Sequence, residues 1–157
     1  MNHLKKVTLA VFAFMFSMAL QAQDRNPGSV GIGAQFGQPT GLSVKVYNPN
    51  GMSTDILAAW DLNDFFFLNI HGLIENHIGS SGRLHYFVGP GAFAGIRDTG
   101  GESLSDQDFE AGISGNFGLN IIFGTIEVFG QVTPRLKLTD GTAGAVGGGA
   151  GIRFYLP

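Results

Sequence analysis

The chain has 157 residues, of which 44% are hydrophobic and 13% charged, with 25 glycines and no cysteine. Its length suits about one domain, its charge is well under the roughly 25% of soluble globular chains, and its glycine is about twice the usual share. Disulfides are excluded, a collagen-like chain is excluded because the glycines follow no three-residue period, and the formal net charge of −3 argues against a phosphate-neutralising, nucleic-acid-binding surface.

In chain order, Lys5 and Lys6 precede an uncharged, mostly apolar run from Val7 to Leu20 and the small-residue stretch ALQAQ. This is the pattern of a cleavable secretory signal peptide, too short to span a membrane as a helix. Cleavage near Ala22 divides the chain into a leader, 1–22, and a single domain, 23–157. Without Lys5 and Lys6, seven basic residues face twelve acidic ones, a formal charge of about −5. With no cysteine after the leader, the chain is not a lipoprotein acylated there.

Beyond the leader no helical period emerges. Alternating segments instead predict eight strands at about 29–37, 40–47, 53–62, 64–77, 82–97, 107–123, 125–139 and 142–156. Turn chemistry separates them: Gln38-Pro39, NPNG at 48–51, Asn63, IGSSG at 78–82, the long 98–107 segment, Gly124, and Thr139-Asp140-Gly141. The segment FEAGISGNFGLNII at 109–122 puts Phe109, Ile113, Phe117, Leu119 and Ile121 on one face and Glu110, Ser114, Asn116 and Asn120 on the other. At a 45° tilt such a strand rises about 33 Å, enough for a bilayer core of about 30 Å. Strands of soluble domains usually have about 5 or 6 residues.

Charge parity points the same way. Asp55 with Asp61, Arg83 with Arg97, and Glu127 with Arg135 and Lys137 each share one face of a strand. The opposite faces carry Ile56, Trp60, Leu84, Val88, Ile96, Ile126, Val128, Val132 and Leu136. A lipid-facing charge near the bilayer midplane costs about 2–4 kcal/mol, so the pattern predicts a closed, all-β, eight-stranded antiparallel transmembrane barrel whose charges point inward. The interior is then a structural network of Lys45, Asp55, Asp61, His71, Glu75, Arg83, His85, Arg97, Glu110, Asn116, Glu127, Arg135, Lys137 and Arg153, nearly balanced in sign. Eight strands leave room for side chains and no open channel. Inward glycines facing Phe65, Phe67, Phe87, Phe93 and Phe129 pack small against large. With both termini at the inner end, the long acidic segment 98–107 lies outside and the short turns lie inside.

From VGIGAQFG at 30–37 to GGGAGIRFYLP at 147–157 the chain resembles the small eight-stranded outer-membrane barrels of Gram-negative bacteria, the OmpX-like and OmpA-like group. GIGAQFGQPTGLSVKVY at 31–47 also looks like the first hairpin of short barrel proteins of unknown function from Bacteroidetes and spirochaetes. The last strand, with Ile152, Phe154 and Leu156 on one face, is similar to the signal read by the barrel-assembly machinery, though it ends in Pro157 where an aromatic residue is usual. The resemblance implies export through the periplasm, residence in the outer membrane, contact with its lipid and lipopolysaccharide, and a structural or surface role with an envelope protein as a partner.

The alternative is a lipid-modifying or lipid-binding barrel like the lipid A acyltransferases and deacylases, with a small pore third. Acyl transfer needs a nucleophile oriented by a base. His71 and Glu75 share a face but lie about 13 Å apart along the strand, and none of His71, His77 and His85 has a serine two residues on. The palmitoyltransferase of this shape admits an acyl chain where prolines interrupt strand pairing, so Pro90 and Pro134 are candidates for a bulge or a lateral gate. The acidic segment lacks calcium-loop spacing, and Gly147 to Gly151 precede no helix that would make a phosphate loop. The expectation is therefore no catalytic residue, no metal and no cofactor. Trp60 and Tyr86 suit an interfacial aromatic belt, while Tyr155 falls on the inward face.

Overall fold

The fold is taken from a computed structural model, which describes residues 25–60, 65–80, 82–98, 107–139 and 141–156. The expected leader at 1–22, Asp61 and most of the 98–107 segment lie outside these residues. Eight strands follow in order: β1 (Val30–Gln38), β2 (Gly41–Val46), β3 (Ser53–Trp60), β4 (Phe65–His77), β5 (Leu84–Asp98), β6 (Gln107–Phe123), β7 (Ile126–Lys137) and β8 (Ala143–Tyr155). Each pairs antiparallel with its neighbours in sequence, and β8 closes on β1. No helix occurs among the described residues.

The register fixes the barrel's shape. From Phe154 the pairing runs through Ile32, Val44, Ile56, Ile70, Ala92, Ile113 and Leu136, and returns to β8 at Gly144, ten residues before its start. A stagger of that size on eight strands corresponds to a tilt of about 40°. Every side chain on this hoop points outward and is apolar. The opposite parity is buried, from Gln35, Ser43, Lys45, Asp55 and Leu57 to Phe129, Gln131, Arg153 and Tyr155.

Interior glycines make space for rings on the next strand. A Cβ on Gly31 would meet the Tyr155 ring, one on Gly118 the Phe87 ring, one on Gly112 the Phe93 ring, and one on Gly151 the Phe129 ring. Phe67 and Phe93 stack with centroids 5.7 Å apart. Leu73, Phe87 and Phe129 form a second apolar cluster nearer the end that carries the termini. Of the five inward phenylalanines expected, Phe67, Phe87, Phe93 and Phe129 are buried, and the side chain of Phe65 is outside the described set.

The turn between β6 and β7 is two residues, with Gly124 at φ +59°, as tight hairpins of this handedness require. Arg83 departs from expectation: it precedes β5 and is exposed, its carbonyl accepting a hydrogen bond from the Ile122 amide. The strand begins one residue later than needed to carry that side chain inward.

The prolines also differ from expectation. Pairing of β4 with β5 skips from His71–Gly91 to Ile74–Val88 beside Pro90, and that of β6 with β7 skips from Ser114–Arg135 to Phe117–Val132 beside Pro134. Both strands advance equally across each gap, so no residue is inserted and neither gap is a bulge. Nor do the strands part to form a gate. The Gly72 carbonyl occupies the place a Gly89 Cβ would take, and a Cβ on Gly115 would touch the Pro134 ring at 3.7 Å. The ladder loses the bonds that proline cannot donate and stays closed.

Gly118→Val is expected to destabilise the barrel by about 1–3 kcal/mol through overpacking against Phe87. Gly130→Ala, whose Cβ meets nothing within 4 Å, is expected to leave the urea midpoint unchanged; equal midpoints for both variants would contradict this packing.

Candidate functional site

The polar interior gathers into an ionic cluster at the end carrying the termini and a neutral network above it. Antiparallel pairing places Lys45 beside Asp55 across β2 and β3, and Glu127 beside Arg153 across β7 and β8. Lys45 Nζ lies 2.5 Å from Glu75 Oε2 and 3.2 Å from Glu127 Oε1. Arg153 reaches Asp55 at 2.5 Å and Glu127 at 3.1 Å, donates from Nε to Ser43 at 2.8 Å, and lies 3.7 Å above the Phe129 ring. Glu127 also accepts hydrogen bonds from Asn120 Nδ2 at 2.8 Å and from the Tyr155 hydroxyl. Lys45, Glu127 and Arg153 are each 0% exposed.

A member that the strand pattern did not reveal completes the cluster. Arg25, which precedes β1, donates from Nη2 to Glu75 Oε1 at 2.5 Å and approaches Glu127 at 3.8 Å. Its guanidinium lies 4.1 Å over the Tyr47 ring and 5.3 Å over that of Tyr155. Burial alone would lower the Arg25 pKa, but the Glu75 carboxylate and its hydrogen bond outweigh that and hold it above its ordinary value. Burial raises the Tyr47 hydroxyl despite the guanidinium beside it. Arg25, Lys45 and Arg153 thus balance Asp55, Glu75 and Glu127 in charge.

Above the ions, Gln131 Nε2 donates to Gln35 Oε1 at 2.7 Å, and Asn116 Nδ2 donates to Gln131 Oε1 at 3.0 Å. Ser114 Oγ donates to Asn69 Oδ1 at 3.0 Å and lies 3.1 Å from His71 Nε2. Ser114 and His71 stand two strands apart and meet across Gly91, where a Cβ would strike the His71 ring. This nucleophile and base were invisible to sequence spacing; the glycine between them and the register are the signals that identify them.

The pair sits within a wider polar network. The Ser114 hydroxyl is shared between Asn69 Oδ1, to which it donates, and His71 Nε2, where the direction of the bond follows the histidine tautomer. Among the described residues His71 Nδ1 has no hydrogen-bond partner. His71 is 2% exposed and Ser114 8%, so both belong to the packed interior.

The remaining expected network residues are dispersed. Glu110 and Arg135 lie toward the far end, with the Arg135 guanidinium 4.9 Å over Phe67 and 5.8 Å over Phe93. Lys137 is half-buried near that rim, and the Arg97 side chain is outside the described set. His85 is buried beside the exposed His77, their ring centroids 4.3 Å apart. Among the described residues no group of three or more His, Asp or Glu side chains is arranged to hold a metal ion.

Removing Glu127 leaves Lys45 and Arg153 each one carboxylate short in a buried setting. Glu127→Ala is expected to cost about 3–5 kcal/mol in urea unfolding; a loss under about 1 kcal/mol would mean that water already screens the cluster.

No protein-family model, no curated protein and no solved structure matches this chain.

Proposed function

We propose that the protein is a non-enzymatic outer-membrane barrel, plugged by its own side chains, with a structural or surface-interaction role that includes an envelope protein partner. The carrying observation is the outer surface. Phe109, Ile113, Phe117, Leu119, Ile121 and Phe123 of β6 are all 39–55% exposed, and Ile32, Ile70, Ile96, Val128, Val132 and Phe154 continue the apolar surface around the barrel. A water-soluble domain does not leave so large an apolar surface bare. At a tilt of about 40°, the span from Phe109 to Phe123 covers about 35 Å along the barrel axis, matching a bilayer core of about 30 Å. Trp60 and Tyr86, 56% and 43% exposed, suit the aromatic girdle of such a barrel.

The filled interior argues against a pore. Planar-bilayer recording is expected to give no steady conductance, and unchanged lipid A acylation in a deletion strain is expected for a non-enzymatic role; altered acylation would favour the lipid-modifying alternative. The membrane reading itself is tested by depth. In lipid vesicles Phe117→Arg, at mid-strand, is expected to cost about 2–4 kcal/mol, while Phe123→Arg at the strand end costs about 0–1 kcal/mol. Equal and negligible costs at both positions would indicate a surface bathed in water.

A further inference from the structure

The barrel end that carries the termini contains an apparatus for one planar cation. Glu75 and Glu127 each give one carboxylate oxygen to Lys45, Oε2 and Oε1 respectively, and turn the other, Oε1 and Oε2, toward Arg25. Tyr47 and Tyr155 flank the guanidinium, and the Tyr155 hydroxyl lies 3.4 Å from Nη1. Without Arg25, two cations would face the three carboxylates Asp55, Glu75 and Glu127, so the emptied place lacks one positive charge. Rings over the guanidinium plane, one hydrogen bond from Nη2 to Glu75 and one from Nη1 to the Tyr155 hydroxyl use a planar group with donors on two nitrogens, which suits guanidinium better than a compact ammonium.

The occupant is held on a short tether. Asn26-Pro27-Gly28-Ser29 forms a turn in which the Ser29 amide donates to the Asn26 carbonyl at 3.0 Å and Gly28 has φ +88°. Proline at the second position and a positive-φ glycine at the third are the requirements of a type II turn. The Gly28 amide then donates to the Tyr47 carbonyl at 2.8 Å and the Tyr47 amide to the Ser29 carbonyl at 2.9 Å. The turn is thus sewn to the end of β2, and the chain doubles back to deliver Arg25 into the mouth.

We propose that Glu75, Glu127, Tyr47 and Tyr155 form a guanidinium-binding site that closes this end of the barrel, with Arg25 as its tethered occupant. A free alkylguanidinium, or an arginyl side chain of a partner, competes for the same place once Arg25 is displaced.

Chemical rescue tests this. The full-length mature chain carrying Arg25→Ala, refolded in detergent, is expected to melt below the parent protein. About 20 mM ethylguanidinium, acting by mass action on the folded state, is expected to restore at least half of that loss. Ethylammonium should be at least tenfold less effective, and the parent chain should respond to neither. An Arg25→Ala protein that melts like the parent, that is not rescued, or that both cations rescue equally overturns the proposal. Arg25→Lys keeps the charge and serves if the alanine variant does not refold. It is expected to show a smaller loss, and melting identical to the parent would overturn the guanidinium preference.

Discussion

A carboxylate sealed inside a barrel governs how this chain closes. Glu127 of β7 is met by Lys45 from β2, Arg153 and Tyr155 from β8, and Asn120 from β6, with Arg25 nearby from the segment before β1. A buried ion is tolerated only when its partners are close and its remaining lone pairs are used. The constraint therefore acts on register: a one-residue slip of any contributing strand would turn its charged partner outward and leave Glu127 short. Such clusters are weak sources of net stability compared with well-packed apolar side chains, but they discriminate strongly against wrong pairings.

Packing above the cluster follows from the narrow bore. With eight strands the interior holds few large side chains at any level, so each ring requires a glycine opposite or beside it. Phe87 lies over Gly118, Phe93 over Gly112 and Phe129 over Gly151, while Gly91 lets His71 reach Ser114. The same glycines account for part of the chain's high glycine content, and each marks a particular neighbour. Two prolines are accommodated by dropping ladder bonds locally while the strand register continues unchanged.

Much of this was legible because a strand between two environments writes its two faces alternately. The eight strands, the extent of β6 and the inward set Lys45, Asp55, His71, Glu75, Glu127 and Arg153 follow from that alternation, and the closed antiparallel order of the sheet agrees with it. What alternation does not carry is pairing across strands. His71 with Ser114 needs the exact stagger of β4, β5 and β6 and the blank at Gly91. Arg25 was missed because it lies before the first strand, where no period exists, and its role is set by the turn at Pro27 and Gly28. Arg83 was misassigned because parity extends formally back into the turn before β5 begins. Pro90 and Pro134 suggested a bulge or gate since sequence shows the lost donor but not that both strands keep step.

On the proposed reading, an inverted barrel places its apolar side chains against lipid and its charges against one another, with Arg25 stoppering one end. The absence of cysteine makes this open to spin labelling at single introduced cysteines, one at a time from 109 to 123 in lipid vesicles. The account predicts a two-residue alternation: labels at Phe109, Ile113, Phe117, Leu119 and Ile121 collide with oxygen dissolved in the bilayer and not with a water-soluble nickel chelate, while those at Ser114, Asn116 and Asn120 meet neither. Nickel collisions at the phenylalanine and isoleucine positions, with oxygen showing no alternation, would contradict it.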